Sequence, residues 1–449
     1  MDFRRVSVRQ LLSFSSEPKS FKLCGTVKTV RRDGNCVEVE VFDGSSFHAV
    51  LIEVPEALQP AEALTQWTTV EVTGDWHPDK NRIIASEVRV FGVSDPSTNP
   101  LNANALTHGT HPHLRLRDPW HALLLRFRSE VIAAIHSVLA THPEGPFHQV
   151  HHPVITHTDC EGGAEVFPVL TQKSKKDDAV QVDDFFGGTR FLTVTAALHG
   201  EAFTMGLDRV WMLAPCFRAE RSVEDRHLAE FWMLEVSMNW VEEVEVLMRV
   251  CEDFLRGLVE KLRKSPAACE VLEVVGREGT TSVSAAEIRR RWELLTQGDW
   301  PRITHAEAVR MMQDAEEVGE ADFELKPGLE TDLSAEHEMF LLDHFQRPVF
   351  VTHYPSKIRL FSALQSRAPQ SSSDIQTTES VDLLLPGIGE VFSGGLREHR
   401  LEKLIETMRE KGFFRSCDAK AGKAKGGEYP FLHDDESLDS LEWFADLRR

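Results

Sequence analysis

The stretch CFRAERSVEDRHLAEFWMLE, residues 216–235, places charged residues among closely spaced apolar ones. Apolar runs of this kind predict buried strands, and the polar RSVED segment between them predicts the turn of a hairpin. Charges inside a core are costly unless they are paired or contact a ligand. Because Arg218 and Glu220 are two residues apart, they share one face of a strand. The stretch therefore indicates either a half-buried ion-pair network on a sheet or a site for a charged ligand.

The composition is that of a large globular chain with no specialised class signal. Its 449 residues are 41% hydrophobic and 27% charged, which predicts two or three domains. The net charge of −21 argues against broad, nonspecific binding of nucleic acid. No apolar run approaches the ~20 residues of a membrane-spanning helix. Seven scattered cysteines without a CxxC pair indicate free thiols in a reducing compartment and no structural zinc site.

The amino-terminal segment MDFRRVSVRQLLSFSS, residues 1–16, has two interpretations. It is rich in Arg and Ser with one acidic residue, which is typical of a short mitochondrial presequence. The alternative is the first helix of the domain, with Val8, Leu11 and Leu12 on one face. The sequence leaves both open.

Residues 20–93 predict a small β-barrel. Short runs rich in Val, Ile, Phe and Thr alternate with turns such as Asp33-Gly34 and Asp43-Gly44. Five or so such strands favour a barrel of the OB type, which commonly binds single-stranded nucleic acid on one face. The alternative is a purely structural barrel. We assign residues 1–93 to this domain and the polar segment 94–118 to a linker.

Residues 119–449 predict an α+β domain. Apolar residues at helical spacing indicate long helices at about 120–141 and 241–264. Strands are predicted at 190–195, 209–218 and in FHQVHHPVIT, RPVFVTHYP and ESVDLLLPGIGEVFSGG, without regular βα alternation. This pattern favours an antiparallel sheet flanked by helices.

Three further stretches carry residues suited to binding polar ligands. GIGEVFSGGLREHRLEKL, residues 387–404, holds Glu390 and Arg397 beside a glycine turn. TDCEGGAEVF and DLSAEHE add carboxylates, including Glu161 and Glu338. Carboxylates could hold Mg²⁺ at a nucleotide or an ammonium group, and the arginine could bind a small polar substrate. Taken singly, each stretch is also compatible with ordinary turns and solvated surface.

The same stretches resemble one enzyme family. FRAE followed by RHLAEFWMLE resembles motif 2 of the class II aminoacyl-tRNA synthetases of the aspartate/asparagine/lysine subgroup. TDCEGGAEVF, DLSAEHE and LLPGIGEVFSGGLREHRLEKL resemble the asparaginyl-tRNA synthetases within it. The order of barrel, linker, motif 1 helix and motif 2 is also similar, and the resemblance spans nearly the whole chain. It implies a barrel that binds the tRNA anticodon and a homodimer formed through the helix at about 122–139.

The resemblance also implies a reaction and roles for site residues. ATP and asparagine would form asparaginyl-AMP, and the acyl group would then move to tRNA(Asn) by positioning and electrostatics alone. Arg218 would hold the α-phosphate and stabilise its developing charge. The other implied ATP contacts are Glu220, His227, Phe231 on adenine, and Glu390 with Mg²⁺. The implied asparagine contacts are Glu161 on the ammonium group, Arg397 on the amide oxygen and Glu235 on the amide nitrogen.

Several positions depart from the family pattern. LEWFADLRR, residues 441–449, resembles the segment just before motif 3, so we expect a C-terminally truncated catalytic domain with an open sheet edge. Pocket positions differ as well: Ala197, Ser237, Ser362, Ala363, Ser393 and Gly395 stand where the family has other residues.

The resemblance implies the activity of an asparagine–tRNA ligase. This interpretation is favoured by five intact residues among changed neighbours, namely Arg218, Glu220, His227, Glu390 and Arg397. The alternatives are a noncatalytic paralogue that binds tRNA or a partner protein, and an aspartyl-specific relative. The basic start and single barrel favour a mitochondrial location, with the cytoplasm as the alternative.

Overall fold

The computed structural model describes residues 5–14, 21–60, 64–102, 111–158, 165–172, 182–183, 185–221, 227–277, 281, 283–367, 375–416, 431–433 and 436–449. The chain divides into two compact units. The first comprises Met1–Ala134 and Glu260–Arg289, and the second comprises Ile135–Val259 and Arg290–Arg449. The division into functional domains at residues 93 and 118 stays a prediction.

The elements follow in chain order. The helices are α1 (Val8–Ser13), α2 (Pro119–Ala140), α3 (Ala197–Leu207), α4 (Val244–Leu262), α5 (Pro266–Val274), α6 (Ala285–Thr296), α7 (His305–Glu317), α8 (Ala335–Phe345), α9 (Leu401–Glu410) and α10 (Glu442–Asp446). The strands are β1 (Arg5–Val6), β2 (Phe21–Asp33), β3 (Cys36–Phe42), β4 (Val50–Pro55), β5 (Thr69–His77), β6 (Arg82–Gly92), β7 (His148–Gln149), β8 (Ile155–Thr156), β9 (Thr171–Gln172), β10 (Val182–Asp183), β11 (Phe191–Leu192), β12 (Arg209–Phe217), β13 (Glu230–Met238), β14 (Arg302–Thr304), β15 (Val349–Thr352), β16 (Ser380–Leu385), β17 (Gly389–Gly395), β18 (Arg415–Ser416) and β19 (Glu436–Ser437).

The first unit contains the barrel that the strand pattern predicted. Its strands pair in the closed order β2-β3-β4-β6-β5-β2, with β1 parallel to β2. β2 pairs with β5 up to Thr26 and with β3 from Thr26 onward. At this change of partner, a Cβ on Gly25 would lie 2.5 Å from Val41 Cγ1, so only glycine fits the bend. The alternating apolar side chains, such as Val39 and Ile52, fill the interior.

Helix α1 belongs to the same barrel. Ser7 begins it with a capping box, in which its hydroxyl accepts from the Gln10 N–H and the Gln10 side chain accepts from the Ser7 N–H. Val8 and Leu11 are fully buried in the barrel core. Residues 8–13 therefore form the first helix of the domain, as the second interpretation of the amino-terminal segment predicted.

The second unit confirms the α+β prediction. β12 and β13 form an antiparallel hairpin that pairs Arg209 with Met238 and Phe217 with Glu230. β7 runs parallel beside β12, and β13 is the edge strand of this sheet within the described residues. A second sheet has the order β14-β15-β16-β17, antiparallel except for the parallel pair β14–β15.

Some predicted elements are shorter in the structure. The stretch FHQVHHPVIT forms only the two short strands β7 and β8, because the segment between them does not join a ladder. The strand predicted at 190–195 is limited to β11, whereas the two long helices lie within a few residues of their predicted ends. No helix in the described ranges is long and apolar enough to cross a membrane.

Candidate active site

The hairpin of β12 and β13 brings together the first pair of predicted site residues. Arg218 follows β12, and its backbone N–H donates to the carbonyl of Ala229 at 3.1 Å. The guanidinium carbon of Arg218 lies 5.5 Å from the centre of the Phe231 ring, which is within cation–π distance. A cation beside a half-buried aromatic ring can bind a phosphate and a stacked base together.

The ends of the hairpin turn carry the next predicted residues. Glu220 and His227 are both exposed there, on either side of the turn. The carbonyl of Glu165 accepts from the N–H of Ala219 at 2.7 Å, so the end of the stretch TDCEGGAEVF lies beside the hairpin. Glu161 lies outside the described residues, and its predicted role is not tested.

Glu235 on β13 is held by the start of α3. Its carboxylate accepts a hydrogen bond from the Thr195 hydroxyl and another, at 2.6 Å, from the Ala196 N–H. Ala196 is the N-cap residue of α3, so the negative charge lies where the helix dipole favours it. The Thr195 hydroxyl also accepts from the Ala197 N–H at 3.0 Å. Glu235 is therefore fixed before any ligand binds.

Arg397 is held by two side chains. Its Nε lies 3.3 Å from Oε1 of Glu201 on α3, and its Nη1 donates to the Ser362 hydroxyl at 3.1 Å. The arginine side chain keeps 31% of its surface exposed, which leaves it accessible to a ligand. Ser362 is fully buried, so this departure from the family pattern supplies a hydroxyl that supports Arg397.

The departure at Ser237 has a packing reason. A Cβ on Gly200 of α3 would lie 2.5 Å from the Ser237 hydroxyl and 3.1 Å from Met212 Cε. Because Gly200 has no side chain, the backbone of α3 packs directly against the hairpin at this position. A longer side chain at 237 could not keep this contact without displacing the helix.

Glu390 on β17 lies among other carboxylates. Its backbone N–H donates to Oε2 of Glu338 on α8 at 2.9 Å. Partial loss of water contact, followed by the negative charges of Asp382 and Glu338, raises the pKa of Glu390 to about 7, and Arg359 opposes the rise. Its side chain still reaches solvent. A bound cation would relieve the repulsion among these groups.

Asp382 is a site residue that the sequence analysis missed. It lies on β16, is almost fully buried and pairs with Arg359. Arg359 in turn lies 3.7 Å above the ring of Tyr354. The available signal was a carboxylate inside SVDLLL, a strand whose residues are all buried, because a charge there requires a partner.

The carboxylates of DLSAEHE separate into two groups. Glu338, together with the charge of Asp332, faces Glu390. Glu336 instead accepts from the N–H groups of Glu324 and Leu325 at 3.0 and 2.8 Å, and these bonds lower its pKa. Among the described residues, no group of three or more His, Cys, Asp or Glu could hold a metal ion.

Comparisons with known proteins show the family to which the chain belongs. The sequence model of the family described as tRNA synthetases class II (D, K and N) matches residues 104–428. The chain is 32% identical over 431 residues to the asparagine–tRNA ligase of Cytophaga hutchinsonii, covering 91% of this chain and 88% of that protein. It is 30% identical over 394 residues to the mitochondrial asparagine–tRNA ligase of Schizosaccharomyces pombe, covering 84% and 81% of the two.

A solved structure shares the fold. The asparaginyl-tRNA synthetase of Pyrococcus horikoshii, complexed with asparaginyl-adenylate, superposes with a TM-score of 0.72 at 23% identity. The match covers 96% of this chain and 87% of that one. The likeness shows a common architecture, and the relatives above show the common family.

Proposed function

The chain belongs to the class II tRNA synthetases of the aspartate, lysine and asparagine group, and on this basis we propose that it is an asparagine–tRNA ligase. One observation carries the choice of amino acid. Arg397 presents a fixed donor and Glu235 a fixed acceptor, both supported by α3. An amide side chain offers both a carbonyl oxygen and an NH₂ group, whereas aspartate offers only acceptors and would meet Glu235 with like charge.

We propose that ATP binds along the hairpin. Arg218 would contact the α-phosphate, Phe231 would stack on the adenine, and Glu220 and His227 would complete the nucleotide contacts. The carboxylate of asparagine attacks the α-phosphorus, and pyrophosphate leaves. Arg218 stabilises the charge that develops on the phosphate oxygens. A terminal ribose hydroxyl of tRNA(Asn) then attacks the acyl carbon, and AMP leaves.

The acidic residues around Glu390 fit Mg²⁺. Their carboxylates are crowded, Arg359 offsets the negative charge only in part, and one member has a raised pKa. Mg²⁺ is bound typically by one or two carboxylates together with phosphate oxygens and water, so a three-residue protein cluster is not needed. When bound, Mg²⁺ would offset phosphate charge. Glu161 is proposed, on the family resemblance alone, to accept the ammonium group of asparagine.

The barrel at residues 1–93 is proposed to bind the anticodon, with residues 94–118 as the linker. Supporting this, the first unit contains a cavity of about 420 Å³ lined by Lys28, Phe47 and His48 among others. Aromatic and basic side chains together suit a splayed base and its phosphate.

A homodimer is proposed from the exposed apolar face of α2. Leu124, Leu125 and Ile132 are 39%, 48% and 40% exposed, which is typical of a face that packs against a partner. Sedimentation at micromolar concentration should give twice the mass of the chain, and a monomer there would contradict the proposal. A mitochondrial location is proposed from the mitochondrial relative. Fractionation of cells that express the chain with a C-terminal tag would test it.

The deciding experiment is ATP–pyrophosphate exchange with asparagine, with aspartate as the control. We expect exchange with asparagine to be at least about a hundredfold more efficient, because the site pairs with both ends of an amide. Equal or greater exchange with aspartate would support the aspartyl-specific alternative. Tight binding of tRNA without exchange or binding of either amino acid would support the noncatalytic paralogue.

A further inference from the structure

Glu201 is a carboxylate shared by two arginines. It lies on α3 with 13% of its side chain exposed. One oxygen lies 3.3 Å from Arg397 Nε, and the other accepts a hydrogen bond from Arg448 Nη2. Glu201 thus links the arginine proposed to bind the amide to a second arginine further along the chain.

Arg448 is buried and is held in this arrangement by several contacts. Its side chain is only 4% exposed, and its Nε donates to the carbonyl of Glu398 at 3.0 Å. Its guanidinium carbon lies 4.0 Å from the Phe444 ring. A buried arginine needs a compensating charge, and Glu201 supplies it.

The helix that carries Glu201 is itself firmly placed. Gly200 allows α3 to contact Ser237 closely, and Glu235 holds the first residues of the same helix. Glu201 lies five residues after the N-cap residue Ala196, which is about 1.4 turns at roughly 3.6 residues per turn. Its position relative to Glu235 is therefore set by a single rigid element.

We propose that Glu201 is a positioning and specificity residue for the asparagine side chain. The inference rests on the proposed function. Arg397 and Arg448 carry two positive charges. Glu201, together with Glu235, which is proposed to contact the same amide, carries two negative ones, so these four charges sum to zero. A neutral surrounding favours an uncharged amide over the carboxylate of aspartate, since the latter would have to be desolvated without a net opposite charge. Glu201 also holds the guanidinium of Arg397 in the orientation in which it would contact the amide of asparagine.

Glu201→Gln, a single isosteric change, tests both the charge balance and the orientation of Arg397. The probes are the non-reactive asparaginyl and aspartyl sulfamoyl-adenosines, titrated calorimetrically into the 449-residue chain. The variant leaves one uncompensated positive charge, so we expect the preference for the asparaginyl analogue to fall by about tenfold or more, which is ~1.4 kcal/mol. Binding of ATP alone should change by less than about twofold, because Arg218 and Phe231 are untouched.

Glu436→Gln is the matched control. Glu436 is also a largely buried carboxylate that binds an arginine, Arg409, through two bonds, but it does not contact Arg397. We expect it to leave the preference unchanged. An equal loss of affinity for both analogues in Glu201→Gln would show a merely structural role and overturn the inference.

A double variant guards against misfolding of the single one. Glu201→Gln with Arg448→Met removes one charge of each sign, so neutrality returns although the contact to Arg397 is lost. We expect weaker binding of both analogues, with the preference for asparagine restored to within about threefold of the wild type. A double variant that folds and still lacks the preference would contradict the charge argument.

The two proposals fail in different ways. If the wild-type chain binds neither analogue, or prefers the aspartyl one, the proposed function fails. If the wild type prefers the asparaginyl analogue and Glu201→Gln keeps that preference, only the role of Glu201 fails.

Discussion

The candidate site has two ends that differ in how their charged side chains are arranged. At the end formed by α3 and the residues after β17, Arg397, Glu201 and Arg448 alternate in sign and contact one another directly. At the end formed by β16, β17 and α8, Glu390 lies among other carboxylates, with Arg359 as the opposing cation. Both ends lie in the second unit.

The difference shows which part of the site is complete without a ligand. The charges of the first end contact opposite charges without a ligand, and we name it the amide end after its proposed contact to the asparagine side chain. Crowded like charges are unfavourable until a cation arrives, so the second end, the acidic end, is organised for a ligand that brings positive charge. Substitutions at and around the two ends would break or sharpen this contrast.

Removing the cation of the acidic end should have the largest effect. Arg359→Met leaves Asp382 buried without its partner, and breaking a buried pair in this way typically costs about 3–5 kcal/mol. Urea denaturation would measure the free energy of unfolding. The exposed Arg347→Met is the control and should change it by less than about 0.5 kcal/mol. A loss below about 1 kcal/mol would show that Asp382 does not depend on Arg359.

Removing the proposed phosphate contact should abolish most activity without affecting either end. Arg218→Ala should lower asparagine-dependent exchange by about 10²–10³-fold, because one preformed contact to developing charge is lost. Arg249→Ala, an exposed arginine of α4, serves as the control. Residual exchange within about tenfold of the wild type would contradict the role of Arg218.

The close packing of α3 can be tested by replacing two of its glycines, because the two substitutions should change the stability of the chain in opposite directions. Gly200→Ala should destabilise the chain by about 1 kcal/mol, since crowding against Ser237 outweighs the gain in helix propensity. Gly206, near the end of the same helix, has open space where a Cβ would stand, with nothing within 4 Å. Gly206→Ala should therefore stabilise by about 0.5–1 kcal/mol. Thermal unfolding of both variants would measure these changes. Stabilisation by both substitutions would show that α3 does not pack closely against Ser237.

The smallest effect concerns Glu390 and has a defined pH dependence. Its pKa is raised from 4.5 to about 7, so its contribution to stability is fully present below pH 4.5 and is lost as the pH rises through 7. Glu390→Gln should therefore stabilise the metal-free chain above pH 7 by about 1 kcal/mol or less, once solvent screening is allowed for. Added Mg²⁺ with ATP should stabilise the wild type more than the variant.

Glu336→Gln is the control, and it should change the stability of the chain in the opposite direction. Backbone N–H groups lower the pKa of Glu336, so its contribution is present above pH 4.5 and is lost as the pH falls. This variant should be less stable than the wild type at neutral pH. A Glu390→Gln variant that is destabilised in the same way would mean that the carboxylates of the acidic end do not repel one another.

Local patterns in the sequence were sufficient for much of the fold. Apolar alternation and turn residues predicted the barrel and the hairpin, and helical spacing predicted α2 and α4 to within a few residues. The stretch FHQVHHPVIT was predicted less well, because strand propensity does not determine whether a neighbouring strand is available for pairing.

The sequence by itself determined which residue types the site contains, because Arg218, Glu235, Glu390 and Arg397 lie in short motifs whose spacing is local. Only the tertiary structure decided their partners. Asp382 with Arg359, and Glu201 with both Arg397 and Arg448, are joined across long stretches of chain. Whether a charge is paired or repelled depends on distance in space and on burial, and neither is encoded in the spacing of residues along the chain.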